Sequence, residues 1–507
     1  MMIPTVQGRT GWVCEHCALR VYVSREDHER NHKSKPMDAA TARRGLARLR
    51  REERKPARGK PGRRKRVTAE PVSGKTIEIN ERFQLALDAI ASKRPIVLIT
   101  GGAGTGKSTF IRALRERAKE RNLVVLAPTG VAALNAGGQT IHSFCRLPLK
   151  PIVVPDDIAT LADVSLVEKL DLLVVDEISM VRADVLDGLE CFLRLNRKSS
   201  KPFGGVQIVL VGDPLQLPPV VRADDAQWFR ERYGTPHFFR AACLKGLRSY
   251  PVELTKVYRQ KDQHFADLLA KIRTADAAPM AVDEINRACV GRVLSGAHLV
   301  LAPTRAAAAR ENEKRLGELP GKIAAFQAKT GGTFMKKSDD QLPAPIDLVL
   351  KKNAQVMFTR NDPEGRWVNG SVGAVTKMGK SSIRVAIQNG GTFDVEPVTW
   401  EDARYLYDEK EGHIEQEVLG TFTQFPLIPA WAVTIHKAQG LTLDQVAVDL
   451  DRGAFAPGQV YVALSRCVSL EGLSLRRPLR MHEVRSDPEA QAFCERIAMG
   501  ERKTAER

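Results

Sequence analysis

The chain has 507 residues, of which 43% are hydrophobic and 27% are charged. This balance excludes a wholly disordered or fibrous protein, and the length predicts two to four domains because a typical domain has about 150 residues. No apolar run approaches the ~18 residues of a membrane-spanning helix, so no membrane partner is expected. Met1–Gly11 lacks the residue order of a secretory signal, which favours an intracellular protein.

The net charge of +18 is concentrated near the amino terminus. Thirteen Lys and Arg residues but only two acidic residues lie between Thr41 and Arg66. Such an arm favours polyanions through counterion release, and a solvated linker without a ligand is the alternative. Because Pro56 and Pro61 also interrupt any helix here, we predict a flexible basic linker over residues 37–72.

Residues 1–36 contain a possible zinc site with the spacing C-x2-C-x10-H-x3-H. Zinc prefers four soft or borderline ligands in a tetrahedron, and this pattern supplies them from Cys14, Cys17, His28 and His32. The ten-residue spacer is shorter than the usual spacing of about twelve, and His16 is a rival ligand. A coincidental pair of thiols is the alternative, and either DNA or a protein could be the partner of such a module.

A short β-branched, apolar run at 95–100 predicts a strand, and a helix is predicted over Thr109–Glu120. Between them lies the sequence GGAGTGKS, which in this context is typical of a phosphate-binding loop. We expect backbone N–H groups to bind the phosphates, Lys107 to neutralise the β- and γ-phosphate oxygens, and Ser108 to bind Mg²⁺. The predicted ATP-binding residues of this loop are Gly102, Ala103, Gly104, Thr105, Gly106, Lys107, Ser108 and Thr109.

Polar residues follow two further predicted strands. Leu172–Val175 ends in Asp176, predicted to support Mg²⁺, and Glu177, predicted to orient and deprotonate the attacking water. Val206–Val211 is followed by Gln216, predicted to sense the γ-phosphate. Strands alternating with helices predict an α/β fold with a doubly wound, RecA-like parallel sheet and ligands at its carboxyl edge.

Seven motifs, in order, resemble those of the Pif-type DNA helicases, superfamily-one enzymes with RecD-like relatives. They are Gly101–Ser108, Ala127–Asn135 with Thr140–Phe144, Asp176–Met180, Leu186–Asp213, Glu253–Gln260, Thr434–Gly440 and Tyr461–Arg466. The resemblance covers about residues 74–475 and leaves the possible finger and the basic arm outside. It implies a helicase that moves 5′ to 3′ on single-stranded DNA and hydrolyses ATP between two RecA-like domains.

The resemblance also implies roles for single residues. Arg259 and Arg466 match the family's two arginine fingers, and Gln84 matches its adenine-recognising glutamine, with a solvated helix residue as the alternative. Gln439 and Gly440, at the end of their motif, are assigned to the nucleotide site.

Residues after the strand ends are expected to contact single-stranded DNA through hydroxyl and amide donors and flat side chains. Phe144 would stack or wedge against a base, with a buried structural aromatic as the alternative. Arg305 stands where the family often has Asn, which leaves the role of that loop open. The resemblance implies that His436 and Lys437 belong to the family's DNA-contacting segment, with a satisfied core histidine as the alternative for His436. The predicted DNA contacts are Thr129, Gly130, His142, Ser143, Phe144, Thr304, Thr434, His436 and Lys437.

The predicted domain organisation follows from these motifs. A first RecA-like domain spans 73–245 with a duplex-splitting wedge at about 146–168, and a second spans 246–344 and 428–507. Short β segments and hairpin signals at Asn369-Gly370 and Asn389-Gly390 predict a small inserted β-barrel over 345–427, resembling a Src-homology barrel. The strands expected there are 348–350, 355–359, 372–377 and 383–387.

An ATP-driven DNA helicase is the favoured function. The alternatives are a finger-tethered recruitment factor switched by ATP and a translocase that remodels protein–DNA complexes with little unwinding. The expected partners are single-stranded DNA and tailed or structured duplexes, bound by a monomeric motor, with a protein partner possible through the amino-terminal module. We expect a cytoplasmic, nucleoid-associated protein in a prokaryote and a nuclear or mitochondrial one in a eukaryote.

Overall fold

The computed structural model describes residues 2–6, 9–13, 20–21, 64–66, 79–260, 262–275, 278–295, 298–388, 390–450 and 453–505. Cys14, Cys17, His28 and His32 lie outside these residues, as does most of the predicted basic linker. The amino-terminal region contributes three short strands that form an antiparallel sheet: β1 (Met2–Val6), β2 (Arg9–Val13) and β3 (Arg20–Val21). The linker contributes β4 (Arg64–Arg66).

A six-stranded sheet, entirely parallel, contains the phosphate-binding loop and is called the first sheet below. Its strands are β5 (Ile96–Thr100), β6 (Leu123–Ala127), β7 (Gln139–Thr140), β8 (Leu172–Val175), β9 (Gln207–Val211) and β10 (Tyr250–Glu253). The spatial order is β10-β5-β9-β8-β6-β7. The predicted strands at 95–100, 172–175 and 206–211 are confirmed to within one residue.

Helices cover both faces of the first sheet, as a doubly wound fold requires. In β5, Ile96 and Leu98 belong to one hydrophobic core cluster, whereas Val97 and Ile99 belong to the other. This burial on both faces explains why these strands are continuous apolar runs without polar alternation. The helices are α1 (Glu81–Ala91), α2 (Lys107–Arg117), α3 (Gly130–Asn135), α4 (Ile141–Cys145), α5 (Ser165–Lys169), α6 (Ala183–Asn196) and α7 (Ala226–Tyr233).

The carboxyl-terminal half contains a second parallel sheet of four strands, in the order β22-β11-β23-β24. These strands are β11 (Leu299–Ala302), β22 (Ala432–Thr434), β23 (Val446–Val448) and β24 (Leu473–Leu475). The associated helices are α8 (Gln263–Thr274), α9 (Ala278–Cys289), α10 (Arg305–Glu318), α11 (Gln459–Leu464) and α12 (Pro488–Ala505). Among the described residues, no helix is long and apolar enough to cross a membrane.

Antiparallel strands separate β11 from β22, in the region where the sequence predicts an inserted barrel. A five-stranded sheet has the order β18-β17-β16-β15-β21, and β12 pairs with β14. All four predicted strands are present, each within one residue of the expected ends. The strands are β12 (Ala324–Gln327), β13 (Lys329–Gly332), β14 (Asp347–Leu350), β15 (Gln355–Phe358), β16 (Val372–Met378), β17 (Ile383–Ile387), β18 (Thr392–Val395), β19 (Val398–Asp408), β20 (His413–Gln424) and β21 (Leu427–Pro429).

The long hairpin of β19 and β20 reaches back to the first sheet. The Ile414 N–H donates to Oδ1 of Asn122 at 3.1 Å, and Tyr405 is buried in the same core cluster as β6 and β8. The edge of β20 at Glu415–Glu417 pairs antiparallel with β4. The linker, predicted to be flexible throughout, therefore contains three residues fixed in a β-ladder.

Candidate functional site: nucleotide cleft and nucleic-acid interface

The phosphate-binding loop connects β5 to α2, in the strand–loop–helix order that the sequence predicts. Its conformation requires glycine at Gly101, where φ is +149° and a β-carbon would lie 2.6 Å from the Leu254 carbonyl oxygen. Gly106, with φ of +90°, caps the amino terminus of α2. The loop thus presents backbone N–H groups at a helix amino terminus, which is a favourable anion site.

Lys107 is directed back onto its own loop. Its Nζ donates to the carbonyl oxygens of Gly101 and Gly102, each at 2.8 Å. Burial lowers the pKa of Lys107, and the nearby carboxylates of Asp213 and Glu177 partly oppose that shift. A bound phosphate group would supply the negative charge that the two neutral carbonyl oxygens lack.

Asp176 and Glu177 follow β8, at the carboxyl edge of the sheet where they were predicted. Burial, followed by the neighbouring Glu177 charge, raises the pKa of Asp176 to about 7. Glu177 has a left-handed backbone, with φ of +49° and ψ of +45°. In this turn Oδ1 of Asp176 accepts a hydrogen bond from the Glu177 N–H at 2.9 Å.

Gln439, which follows β22 of the second sheet, contacts two predicted catalytic residues of the first. Its Nε2 donates to Oε2 of Glu177 at 3.2 Å and to Oε1 of Gln216 at 3.4 Å. Its own Oε1 is buried and has no hydrogen-bond partner among the described residues. The amide of Gln439 therefore joins Glu177, the predicted general base, to Gln216, the predicted γ-phosphate sensor, across the cleft.

Two arginines enter the same cleft from outside the first sheet. Arg466, only 1% exposed, donates from Nε to the Val462 carbonyl and from Nη2 to Oγ of Ser465, both at 2.9 Å. Arg259 donates from Nε to Oγ1 of Thr442 at 3.0 Å. Within the part of the chain that the structure describes, neither guanidinium has a carboxylate within ion-pair distance.

The pKa values of Arg259 and Arg466 are both lowered, because each arginine is buried and has no carboxylate partner among the described residues. Burial, and then the charge of Arg466, lower the pKa of Arg259 to about 9. Burial also lowers the pKa of Arg466. Two like charges held together away from water favour an anion between them, as a bound triphosphate would provide.

The sequence motifs assign no role to Arg273 or Tyr461, which the structure places at the loop. Arg273 of α8 donates from Nη2 to Oδ1 of buried Asp213 at 2.8 Å. The Tyr461 hydroxyl accepts a hydrogen bond from the Ala103 N–H at 2.7 Å. Tyr461 lies within a recognisable motif, but Arg273 lies in an ordinary amphipathic helix and gives no sequence signal.

Gln84 does not face the phosphate-binding loop. It is exposed on α1, where its Nε2 donates to Oδ1 of Asp88 at 2.6 Å and its Oε1 accepts from Arg117 at 3.4 Å. These are the contacts of a solvated helix residue, and recognition of adenine by Gln84 stays a prediction. The preceding residue, Phe83, packs against the loop instead, within 3.2 Å of a β-carbon placed on Gly106.

The three threonines predicted to contact DNA lie at the carboxyl ends of parallel strands: Thr129 and Thr304 each lie two residues after β6 and β11, and Thr434 is the last residue of β22. Thr129 and Thr304 cap α3 and α10 by accepting the N–H groups of Ala132 and Ala307, each at 3.2 Å. Thr434 accepts the N–H of Lys437 at 3.1 Å in a similar turn. Thr129 and Thr304 are exposed, and Gly130 is the first residue of α3.

Phe144 differs from the expectation that it stacks or wedges against a base. It is 7% exposed and packs edge-to-face against Phe192 of α6, with ring centroids 5.8 Å apart. The reason is helical geometry, because the short α4 turns Phe144 into the core and leaves Ser143 exposed. His142 is half-buried, and burial followed by Arg182 lowers its pKa.

His436 and Lys437 lie in the turn after β22. His436 is half-buried and Lys437 is exposed. Burial, followed by the charge of Arg305, lowers the pKa of His436. Arg305, which stands where the family often has Asn, thus lies near the predicted DNA-contacting residues His436 and Lys437 and adds positive charge beside them.

The glycine loop, the adjacent acids and the opposing arginines define a phosphate-binding-loop NTPase whose site is shared between two parallel sheets. A family model described as PIF1-like helicase matches residues 76–280, and one described as Helicase matches residues 411–502. The chain belongs to the Pif1-like helicase family, because it is 32% identical over 406 residues to the ATP-dependent DNA helicase Pif1 of Bdellovibrio bacteriovorus. That alignment covers 79% of this chain and 88% of the relative.

Other relatives and solved structures support the same family assignment. The human ATP-dependent DNA helicase PIF1 is 34% identical over 441 residues, which are 83% of this chain and 64% of the relative. The crystal structure of Bacteroides Pif1 with ADP-AlF4 matches with a TM-score of 0.77 at 33% identity, covering 84% of this chain and 98% of that one. The ssDNA-bound form of Bacteroides Pif1 matches with a TM-score of 0.62 at 35% identity. The chain spans 59–64% of the length of the fungal and mammalian relatives.

Proposed function

We propose that the chain is an ATP-dependent DNA helicase that translocates 5′ to 3′ on single-stranded DNA and unwinds duplex or structured DNA. The single observation that carries this proposal is the cleft between the two parallel sheets, which we interpret as RecA-like domains. Lys107 and the acids belong to the first sheet, whereas Gln439 and Arg466 are carried by the second. Hydrolysis therefore depends on the relative position of the two sheets, which a motor requires and a binding switch does not.

The residues present fit Mg²⁺ and a nucleoside triphosphate. Ser108 and Asp176 would hold the metal, which supplies positive charge to the phosphate oxygens. Lys107 would exchange its two loop carbonyls for phosphate oxygens. Glu177, held by Gln439, orients the attacking water and takes its proton at a carboxylate oxygen.

Arg259 and Arg466 stabilise the charge that develops on the transferring phosphoryl group. Such arginine fingers are worth about 10³–10⁵ in rate when they are properly positioned. Because Arg466 comes from the segment after α11 and Lys107 from the first sheet, a small opening of the cleft removes this stabilisation. The same opening breaks the hydrogen bond from Gln439 to Glu177. Loss of the arginine charge and loss of this hydrogen bond therefore stop hydrolysis together.

The proposed DNA track runs over the carboxyl edges of both sheets. Thr129, Thr304 and Thr434 would donate hydroxyl hydrogen bonds to phosphates, and Lys437 would add charge. Because equivalent turns occur on both sheets, cleft closure would bring two phosphate contacts closer together and advance the strand. The matched structures of Bacteroides Pif1 with ssDNA and of Pif1 helicases at forked dsDNA support DNA as the partner.

Two insertions are proposed to act on the duplex. Residues 146–164 contain no helix or strand and are tied to α6 by the Asp184 and Asn196 side chains, with Leu149 71% exposed. This segment would be the wedge. The antiparallel strands within residues 345–427 would form the small barrel that clamps DNA.

The amino-terminal module is proposed to bind Zn²⁺ through Cys14, Cys17, His28 and His32 and to recruit DNA or a protein. The basic arm would raise affinity for DNA without sequence preference. We place the protein with the nucleoid of a prokaryote or in the nucleus or mitochondria of a eukaryote, and we expect a monomeric motor.

The test is ATP-dependent strand separation on two otherwise identical duplexes, one with a 5′ single-stranded tail and one with a 3′ tail. We expect unwinding of the 5′-tailed duplex alone, and none by Lys107→Ala on either duplex. Unwinding from the 3′ tail would contradict the proposed direction. DNA-stimulated ATP turnover without unwinding would instead support a translocase that remodels protein–DNA complexes.

A further inference from the structure

Phe455 is an exposed aromatic residue beside the proposed DNA track, and it is not among the residues assigned to DNA above. Phe455 is 59% exposed, although burying a phenylalanine is strongly favourable. Its ring stacks on the imidazole of His436, with centroids 6.4 Å apart and planes at 17°. More than half of the side chain therefore remains available for another flat group.

The surroundings of Phe455 fit a nucleotide better than an apolar protein side chain. His436 is followed by Lys437, which is exposed. Arg305 also lies near His436, because its charge, together with the larger effect of burial, lowers the pKa of His436. A cationic rim around a flat aromatic ring is the combination that single-stranded nucleic acid sites use. The rim would contact the phosphates while the ring contacts a base.

Phe455 is also fixed to the element that carries the arginine finger. The N–H groups of Phe455 and Ala456 donate to Oε1 of Gln459, at 2.9 and 3.3 Å, and Gln459 is fully buried at the start of α11. Gly458, between them, approaches the first sheet, where a β-carbon would lie 2.7 Å from the Gln216 carbonyl oxygen. The ring therefore follows any movement of α11.

We propose that Phe455 and His436 form a stacking platform for one base of the single-stranded DNA. The inference rests on the proposed helicase function and adds a base contact to a track that otherwise binds phosphates. Because α11 leads to Arg466, the platform would tie the position of one base to the state of the ATP site. The stack uses the flat face common to all bases, so it carries no sequence preference.

The first experiment measures binding of a fluorescent oligothymidine by anisotropy without nucleotide. We expect Phe455→Ala to bind about tenfold more weakly, the loss of one base stack, and Phe455→Trp to restore binding. Val293→Ala, at an apolar position that is 92% exposed, is the matched control and should bind like the unmodified protein. Phe455→Leu keeps apolar bulk without a flat ring and should bind as weakly as Phe455→Ala.

The second experiment replaces single bases of the oligonucleotide by abasic sites. The unmodified protein should lose affinity at one position, whereas Phe455→Ala should lose none there, because its stack is already absent. Equal losses in both proteins at every position would overturn the platform.

A Lys437→Ala variant, measured in parallel, distinguishes the stacking platform proposed here from the DNA track of the proposed function. Weaker binding by Lys437→Ala with normal binding by Phe455→Ala would overturn the platform and leave the track intact. Normal binding by both variants would overturn the track as well.

Discussion

Arg259 and Arg466 differ from Arg273 in what neutralises their charge. Arg273 is paired with buried Asp213, whereas Arg259 and Arg466 donate only to neutral oxygens among the described residues. A buried charge without a counter-charge is costly unless a ligand supplies one. Arg273 already has its counter-charge, whereas Arg259 and Arg466 have none among the described residues. This difference indicates that a polyanion binds beside Arg259 and Arg466.

Lys107→Ala should abolish ATP turnover, by at least about a hundredfold, because it removes the charge that stabilises the transferring phosphoryl group. Single-stranded DNA binding should survive, since the proposed track does not include Lys107. The measurement pairs a phosphate-release assay with DNA-binding anisotropy. Lys119→Ala, at an exposed position of the segment after α2, is the matched control, and retained turnover by Lys107→Ala would contradict the assignment.

The pKa of Asp176 leads to a pH-dependent prediction for stability. Its value of about 7 lies above the ordinary 3.8, so the folded protein holds this proton more tightly than the unfolded chain. The folded state is therefore penalised increasingly as the pH rises from about 4 to about 7, and the penalty is constant above that.

Asp176→Asn should consequently raise the melting temperature in the presence of a chelator, with a larger gain at pH 8 than at pH 5. Thermal unfolding at both pH values measures this difference. Asp224→Asn, at an exposed position, should show no such pH dependence. An equal gain at both pH values would mean that Asp176 is not protonated in the folded protein near neutrality.

At the scale of elements, the Asp213–Arg273 pair joins the end of β9 to α8 and so connects the two sheets. Arg273→Met should destabilise the protein by about 3–5 kcal/mol, because it leaves Asp213 buried and unpaired. Combining it with Asp213→Asn should recover part of this loss.

The check for this pair is the free energy of unfolding in denaturant. Arg240→Met, which removes a half-exposed pair with Glu489, is the control and should cost less than about 1 kcal/mol. A loss for Arg273→Met no larger than the control would show that the pair is replaceable.

Strands β5, β8 and β9 could be predicted from the sequence because each is a short, largely apolar run followed by a glycine or acidic residue, and β8 matches the predicted bounds at both ends. Strand β7, Gln139–Thr140, is polar and has no such pattern. The motifs likewise predicted that Glu177, Gln216 and Gln439 meet in the cleft, but they gave no role to Arg273 or Tyr461. Phe144 could not be placed, because a four- or five-residue helix has no periodicity from which to tell its inner face from its outer face.

Two features depend on long-range contacts that leave no local pattern. Arg273 meets Asp213 across 60 positions of sequence, and nothing in α8 distinguishes it from a surface arginine. Tyr405 belongs to β19 but packs into the core of the first sheet, 280 positions from its neighbour Val125. The reach of the long hairpin was therefore not predictable from the sequence.

At the scale of the whole molecule, the amino-terminal module and the motor are proposed to have separable functions. Cys14→Ser should release bound zinc while ATP turnover stays near normal, because the catalytic and ATP-binding residues named above lie between Gln84 and Arg466. Zinc content by mass spectrometry and ATP turnover measure the two effects. Cys494→Ser is the control that should leave the zinc content unchanged, and a loss of turnover in Cys14→Ser would make the module part of the motor.

The pairing of β4 with β20 has a consequence for any shortened form of the protein. Removing residues 1–70 would strip the Arg64–Arg66 strand from Glu415–Glu417 and expose unpaired backbone groups at that edge. Open strand edges recruit other strands and promote self-association. A form that begins near residue 63 should therefore stay dispersed at concentrations where one that begins near residue 72 aggregates, which light scattering would detect.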